Sequence, residues 1–255
     1  GAVGGNVKVR NYKESLCARL QAIEYLKTIS IGRIVTSQLG ICRIISGAYG
    51  AFRRDILDTI GGWDIGPGLD GDITVKIRKC GYDIHFESRA ICLTAAPTRL
   101  KALRKQRLRW DKSLIRFRIR KHRNVFFPMA NFRWSNFFSA SENIFYNLIL
   151  DITWIVYMID VLLNYTSHLL FIIPMNFTLY VVMNIAQMWC VLAVSERRRE
   201  ETELIRYLLL MPFYTGIYLR IIRSVAYFQE LVFKRSYEDP WNPEKTSRMA
   251  KRYGL

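Results

Sequence analysis

The stretch LKALRKQRLRW, residues 100–110, is a strongly basic segment with apolar residues at helical spacing. It ends in a Gln-x-x-Arg-Trp pattern, and on a helix Gln106, Arg109 and Trp110 share one face because they lie three and four residues apart. A guanidinium suits a diphosphate, an amide suits hydroxyl groups and an indole suits a sugar ring, so the set favours a sugar nucleotide as ligand. On its own, the stretch fits a basic interfacial helix anchored in lipid by Trp110 equally well.

The segments upstream favour the first interpretation. The motifs that precede the stretch are, in chain order, SGAYGAFRR at 46–54, GGW at 61–63, GLDGDIT at 68–74 and GYDI at 81–84. In this order and spacing they resemble family 2 glycosyltransferases of the membrane-embedded kind, which includes cellulose, hyaluronan, chitin-oligosaccharide and poly-N-acetylglucosamine synthases. The resemblance begins at Gly5 and runs to about Arg120; beyond that it depends on the hydrophobic pattern.

The resemblance implies an α/β fold: the C-terminal half of a GT-A type glycosyltransferase domain, followed by an amphipathic interface helix and α-helical transmembrane segments. It also implies inverting transfer of a sugar from a nucleotide sugar, a UDP-sugar, to a growing polysaccharide, with export of the polymer across the membrane. Two alternatives stay open: a single-addition membrane glycosyltransferase that makes a glycolipid, and a non-catalytic membrane subunit or degenerate paralogue. The implied partners are the nucleotide-sugar donor, a saccharide acceptor, the lipid bilayer and accessory subunits or a missing N-terminal half.

Asp70 is the candidate catalytic residue. It matches the family's base, which would take the proton of the acceptor hydroxyl as that oxygen attacks the anomeric carbon. The usual neighbouring Glu is Leu69 here, a departure that leaves the base in place but changes its surroundings. Because Asp70 and Asp72 come just before a predicted helix over Ile73–Cys80, an acidic N-terminal cap without a catalytic role is the alternative.

The other candidate site residues follow from the same resemblance. Gln106 and Arg109 match residues that contact the diphosphate, and Trp110 would form the floor for the acceptor sugar. Glycine at position 47 would let the backbone approach a ligand closely, and the alternative there is a plain turn. The predicted substrate-binding positions are therefore Ser46, Gly47, Asp72, Gln106, Arg109 and Trp110.

The resemblance further implies Mg²⁺ or Mn²⁺ as cofactor. Its Asp-x-Asp ligands are not found in the chain and are expected upstream of Gly5, so no metal ligand is predicted here. Because Gly1 enters directly into a strand-like run, we expect the sequence to be a piece of a longer chain. We accordingly expect these residues alone to transfer no sugar.

Composition points to a membrane protein. Hydrophobic residues make up 51% of 255 residues beside a net charge of +17, an unusual pair for one soluble domain. The two properties are segregated, since residues 1–124 are mixed and charged whereas 143–194 is almost continuously apolar. The basic residues flank apolar runs and no nucleic-acid recognition motif accompanies them, so nucleic acid is not expected as a partner. The five cysteines show no metal-ligand spacing.

Four regions are predicted. Residues 1–97 form the C-terminal part of the catalytic domain, and 98–138 form the basic amphipathic helix and its connection. Residues 139–233 form the membrane region, with spans at about 143–163 and 169–194 and an interfacial or re-entrant helix at 207–233. The positive-inside rule places the catalytic part and the C-terminus in the cytoplasm, with the protein in the plasma or inner membrane. The tail, 234–255, is predicted to be cytoplasmic and resembles a gating loop at Trp241, Lys245 and Thr246, for which a disordered polar tail is the alternative.

Finer predictions concern single segments. A helix is expected over Leu16–Ile29, and a loop and buried strand within Ile31–Ile45. A second helix is expected over Asp55–Ile60, ended by the glycines at 61 and 62, and separate extended pieces at 82–87 and 90–95. The amphipathic helix over Thr98–Arg120 has a gap in its apolar spacing at Arg107. Asp151 lies inside the first span, where it would face a polymer path or pair with a helix outside the chain.

Overall fold

A mixed sheet forms the base of the N-terminal part, for which the sequence predicted a catalytic domain. The computed structural model describes residues 1–63, 68–128 and 132–237. Among these residues the sheet has three strands in the order β2-β1-β3. The strands are β1 Ala2–Val9, β2 Gly50–Phe52 and β3 Ile84–Thr94. The central strand β1 is antiparallel to β2 and parallel to β3, and it is buried along nearly its whole length.

The first helical stretch is longer than the sequence predicted. Helix α1, Leu16–Tyr25, begins at Ser15, whose Oγ accepts the Ala18 N–H at 3.1 Å. It runs on through the π-helical segment Leu26–Ile31 into α2, Gly32–Gln38. The predicted loop and strand after Ile31 is therefore wrong over α2, because the β-branched residues there also recur at the three-to-four spacing of a helix.

Two short helices lead towards the site. Helix α3, Arg54–Ile60, ends at Gly61 in the left-handed conformation with φ 71°, as the sequence predicted. Helix α4, Leu69–Lys79, begins one turn earlier than expected, so Asp70 and Asp72 lie inside its first turn. The two predicted extended pieces that follow are a single strand, β3.

The register of β3 explains its interrupted sequence pattern. Gly5 lies opposite Glu87, but the next residue, Asn6, lies opposite Ile91. The three intervening residues bulge out, and Asn6 Nδ2 donates to the carbonyl of Ser88 at 3.1 Å.

The amphipathic helix is confirmed, with a correction to its basic face. Helix α5, Leu100–Ser113, continues as the π-helical segment Leu114–Lys121. The guanidinium of Arg116 donates to the Ser236 carbonyl at 3.1 Å, and that of Arg118 donates to the Arg43 carbonyl at 2.5 Å. Both side chains are buried, so the second half of the helix uses these cations to pack against the protein rather than to face lipid headgroups.

Three helices of the described chain are long and apolar enough to cross a membrane, by length and composition: Trp134–Asn164, Thr166–Val194 and Ile205–Phe233. The first contains α6, Trp134–Ile144, a π-helical segment, Phe145–Ile149, and α7, Leu150–Asn164. The second contains α8, Leu169–Val194, and α9, Arg198–Thr202, follows it. The third contains a π-helical segment, Pro212–Tyr218, and α10, Leu219–Phe233. Short 3₁₀ segments complete the chain at Tyr12–Glu14, Arg123–Phe126, Thr166–His168, Ile205–Leu210 and Arg235–Tyr237.

One hydrophobic core joins the sheet, α1 and α5 to the second and third apolar helices. The core residues that show this continuity are Val7, Leu20, Leu26, Leu103, Met188, Val191, Met211 and Tyr214. Beside it, Lys8 Nζ in β1 pairs with Glu201 Oε1 in α9 at 2.5 Å, with both side chains buried. The central strand, α1, α5 and the second and third apolar helices therefore pack around this core.

Asp151, the acid within the first apolar helix, finds its partners inside the chain. One carboxylate oxygen lies 3.1 Å from Arg220 Nε and the other lies 3.3 Å from Arg223 Nη1, both on α10. A pairing with a helix outside the chain is thus not needed to compensate this charge.

Candidate active site

Asp70 is held at the start of α4. The helix begins after Gly68, which has φ 90°, and Asp70 is its second residue and partly exposed. Its Oδ2 accepts the backbone N–H of Gly47 at 2.8 Å, and its carbonyl accepts the Thr74 hydroxyl at 2.6 Å. The hydrogen bond from the Gly47 N–H therefore holds the Asp70 carboxylate in a fixed direction at the N-terminus of the helix.

The segment that contains Ser46 and Gly47 is fixed against the same helix. The N–H of Ile45 donates to the Thr74 hydroxyl at 3.1 Å, and a tight turn follows in which the Tyr49 N–H donates to the Ser46 carbonyl at 3.0 Å. A Cβ atom on residue 47 would lie 2.5 Å from Asp70 Oδ1, a distance that Cβ atoms do not tolerate. Glycine is thus required for the close approach that the Asp70 hydrogen bond depends on.

The Gln-x-x-Arg-Trp helix lies against the start of α4. Gly68 is in van der Waals contact with Ser113, the last residue of α5, and the Ser113 hydroxyl donates to the Trp110 carbonyl at 2.5 Å. Arg109 is exposed, and the Trp110 side chain is 38% exposed. The structure therefore brings Asp70 and the motif helix, which are far apart in sequence, to one side of the catalytic part.

Gln106 differs from its motif neighbours because its carbonyl oxygen is buried. Within the described chain, that Oε1 has no hydrogen-bond partner. A buried amide oxygen without a partner is costly, so Gln106 Oε1 is a free acceptor for the donor of a ligand or of a water molecule.

Sequence reasoning missed Arg107. Its Nη2 donates to Glu24 Oε2 at 2.7 Å, and the Tyr214 hydroxyl donates to the same oxygen at 2.9 Å. The guanidinium carbon lies 4.9 Å from the centroid of the Trp110 ring and 6.0 Å from that of Tyr25. Burial alone lowers the pKa of Arg107, but the Glu24 charge and the tyrosines outweigh it and raise the pKa above its ordinary value. The gap in apolar spacing at this position was the signal in the sequence.

Arg33 is a second residue that the sequence did not single out. Burial lowers the pKa of its guanidinium to about 10, with Asp70 and Cys42 among the groups that oppose the shift. Its Nη1 is buried and has no hydrogen-bond partner in the part of the chain that the structure describes. A cation thus lies near Asp70, in a segment for which the sequence predicted a loop and strand.

Asp72 occupies a different environment from Asp70. Its carboxylate is 1% exposed and lies 2.7 Å from Lys121 Nζ and 2.7 Å from His122 Nε2. Because Lys79 Nζ donates to His122 Nδ1, Nε2 carries the proton that His122 donates to Asp72. Burial alone raises the pKa of Asp72, but the hydrogen bonds from His122 and Lys121 outweigh it and hold the pKa below its ordinary value. These contacts tie α4 to the end of the α5 extension, and the role of Asp72 in substrate binding stays a prediction.

The remaining predictions concern a metal and a gating loop. Residues 1–63, 68–128 and 132–237 contain no group of three or more His, Cys, Asp or Glu side chains that could hold a metal ion. None of these residues is therefore assigned as a ligand of Mg²⁺ or Mn²⁺, and no chemical step is assigned to a metal here. Trp241, Lys245 and Thr246 lie outside the described residues.

Comparison with known proteins gives relatives for the catalytic part. The poly-beta-1,6-N-acetyl-D-glucosamine synthase of Staphylococcus epidermidis is 37% identical over 112 residues, which cover 43% of this chain and 27% of that protein. The synthase of the same name from Staphylococcus aureus strain COL is 36% identical over 112 residues, with the same coverage of 43% and 27%. The chain thus spans 27% of the length of these curated relatives.

A solved structure shares the fold. The mannosyltransferase PcManGT from Pyrobaculum calidifontis, in complex with GDP-Man and Mn²⁺, superposes with a TM-score of 0.52 at 17% identity. The match covers 92% of this chain and 54% of that one, and it shows a GT-A-like glycosyltransferase fold. The model of the family described as glycosyltransferase like family 2 matches residues 1–113. Residues 1–113 are therefore similar in sequence to glycosyltransferase family 2, and the chain has a GT-A-like fold.

Proposed function

We propose that the protein transfers a sugar, with inversion, from a UDP-sugar to a growing polysaccharide. The observation that carries this proposal is the Asp70 carboxylate, held at 2.8 Å by the Gly47 N–H beside the helix with Arg109 and Trp110. The names of the staphylococcal relatives support N-acetylglucosamine as the sugar, so UDP-N-acetylglucosamine is the first donor to test.

The proposed transfer is one concerted step in which three side chains take part. The Asp70 carboxylate takes the proton of the acceptor hydroxyl while that oxygen forms a bond to the anomeric carbon of the donor. The bond between the anomeric carbon and the diphosphate oxygen breaks at the same time, and the electron pair leaves with the nucleoside diphosphate. The Arg109 guanidinium offsets the charge of the departing diphosphate, and the Trp110 indole supports the acceptor sugar so that its hydroxyl lies in line.

Several partners belong to the same proposal. A divalent metal, Mg²⁺ or Mn²⁺, is supported by the Mn²⁺ in the PcManGT structure, although none of the residues described here is assigned as its ligand. Export of the polymer and accessory subunits follow from the class of the relatives, and no residue of this chain is assigned to them.

Incorporation of labelled sugar tests the proposal. Membranes that contain the full-length protein, incubated with labelled UDP-N-acetylglucosamine and Mg²⁺ or Mn²⁺, should yield long saccharide chains. A product one sugar longer than its lipid acceptor would instead show a single-addition enzyme. Absence of product with every UDP-sugar tried would favour a non-catalytic subunit.

The third apolar helix supports a cytoplasmic placement of the C-terminal end. It runs beside α5 and its extension: the Tyr218 hydroxyl donates to the Leu100 carbonyl at 2.9 Å, and Arg120 pairs with Glu230 at 2.7 Å. The helix formed by residues 100–121 carries many cations, and such a helix does not pass through hydrocarbon. A helix packed along it from end to end therefore fits the interfacial placement predicted for 207–233 better than a span.

Cysteine labelling is expected to confirm this topology. In a background without native cysteines, Ser167→Cys should react with an impermeant thiol reagent added to intact cells, because Ser167 lies in the turn between two spans. Lys234→Cys, at the end of α10, should react only after the cells are opened. Labelling of Lys234→Cys in intact cells would mean that the third helix crosses the membrane.

Gly47→Ala is expected to lower turnover by about tenfold or more, because a methyl group there displaces the Asp70 carboxylate. Gly71→Ala is the matched control, since a Cβ on residue 71 would meet only Ile44 Cδ1 at 3.9 Å, an ordinary contact. Steady-state rates of the two variants, corrected for the folded fraction, make the comparison. Equal rates would remove the Gly47–Asp70 contact from the proposed mechanism.

A further inference from the structure

Glu24, Arg107 and Tyr214 form a buried cluster that joins three parts of the molecule. Glu24 belongs to α1, Arg107 to α5 and Tyr214 to the π-helical segment of the third apolar helix. The Arg107 and Glu24 side chains are 12% and 11% exposed, and Glu24 Oε2 accepts hydrogen bonds from both partners, at 2.7 and 2.9 Å. The guanidinium is therefore held on a fixed anchor rather than on a mobile surface carboxylate.

The ion pair of Arg107 with Glu24 matters more for orienting the guanidinium than for stabilising the fold. Taking two charges out of water costs much of what their attraction returns, so a buried ion pair adds little net stability compared with apolar residues. The two hydrogen bonds of Glu24 do fix the plane of the Arg107 guanidinium. A lysine or an apolar side chain has no planar cation that could be oriented in this way.

The oriented guanidinium lies over Trp110. Its carbon atom is 4.9 Å from the centroid of the indole ring, within the range of a cation–π contact. Tyr25 lies on another side of the same guanidinium, with its ring centroid at 6.0 Å. The indole is 38% exposed, so one part of it contacts Arg107 while another part is open to a ligand.

We propose that Arg107, anchored by Glu24 and Tyr214, is a positioning residue that sets the plane of the Trp110 indole for the acceptor sugar. The inference rests on the proposed function, because it takes Trp110 as the acceptor platform. Through Tyr214, it also makes the position of the third apolar helix a determinant of that platform.

Arg107→Lys is the variant of choice. A lysine keeps a positive charge beside Glu24, so the fold is retained, but it lacks the planar group that stacks on the indole. Lys8→Met is the matched control: it removes a buried ion pair of similar burial, Lys8 with Glu201, whose side chains are 8% and 7% exposed and which does not touch the motif helix.

A spectroscopic readout tests the positioning without any substrate. In the full-length protein labelled with 5-fluorotryptophan, the ¹⁹F resonance lost in Trp110→Phe identifies Trp110. Arg107→Lys should shift or broaden that resonance, and Lys8→Met should leave it in place. A Trp110 resonance unchanged by Arg107→Lys would overturn the inference whether or not the protein transfers sugar.

Kinetics test the consequence for the acceptor. Arg107→Lys should raise the KM for a saccharide acceptor about tenfold and leave the KM for the donor unchanged. In a Trp110→Ala background the same exchange should have no further effect, because Arg107 acts through the missing ring. An effect of equal size in that background would overturn the inference and give Arg107 a general structural role. A shifted resonance with an unchanged acceptor KM would support the positioning and contradict the acceptor role of Trp110 in the proposed function.

Discussion

Replacing Asp70 by asparagine is expected to lower turnover by about 10² to 10⁴ while the KM for the donor stays nearly unchanged. Asparagine keeps the size of the side chain and can still accept the Gly47 N–H, so the site keeps its shape. It cannot take the proton of the acceptor hydroxyl. The measurement is the steady-state rate of sugar transfer by the full-length variant at saturating donor.

Asp72→Asn is the matched control for Asp70→Asn. The two acids lie in the same helical turn, but Asp72 is buried between Lys121 and His122. Its loss should lower the melting temperature. A rate per folded molecule within a few-fold of wild type would remove Asp72 from the predicted substrate-binding positions and leave it a structural role. The contacts with His122 and Lys121 hold the pKa of Asp72 below its ordinary value. The stabilising effect of the Asp72 carboxylate is therefore present above about pH 4 and is lost as the pH falls through its folded-state pKa. If Asp70→Asn kept wild-type turnover, Asp70 could not be the base.

Arg109→Lys is expected to weaken both the rate of transfer and inhibition by free UDP, each by about tenfold or more. Lysine keeps the charge but loses the planar fork that binds two diphosphate oxygens at once. Competition by UDP against the donor measures the effect on binding directly.

Arg104→Lys provides the comparison, since Arg104 is an exposed arginine on the same helix and outside the motif. It should leave both quantities unchanged. If Arg109→Lys behaved like Arg104→Lys, Arg109 would belong to the cations that face solvent or lipid headgroups.

The sequence predicted the elements whose signals are local. The end of α3 at Gly61 and the helix that carries the motif follow from glycine placement and from apolar spacing. The start of α4 was placed too late because Asp70 and Asp72 are acceptable both before a helix and in its first turn. The segment after Ile31 was assigned wrongly because its β-branched residues suit a strand locally, although Ile31, Ile34 and Val35 also recur at the spacing of a helix.

The contacts that organise the candidate site could not be predicted from the sequence. Arg107 is 83 residues from Glu24, and Tyr214 is 190 residues from it. The family resemblance gave roles to Gln106, Arg109 and Trp110 and none to Arg107. The family resemblance also gave Asp70 its predicted role. The hydrogen bond from Gly47 that fixes the direction of the Asp70 carboxylate is seen only in the structure.

The anomeric configuration of the product is the most direct test of the central claim, that these residues belong to an inverting, polymer-forming glycosyltransferase. The full-length protein is incubated with UDP-N-acetylglucosamine, whose sugar is α-linked to the diphosphate, and the product is examined by proton NMR and by size. Attack by a hydroxyl activated by Asp70 on the face opposite the diphosphate predicts β-linked chains of many sugars. An α-linked product would contradict the account, because one in-line displacement at the anomeric carbon inverts its configuration and cannot retain it.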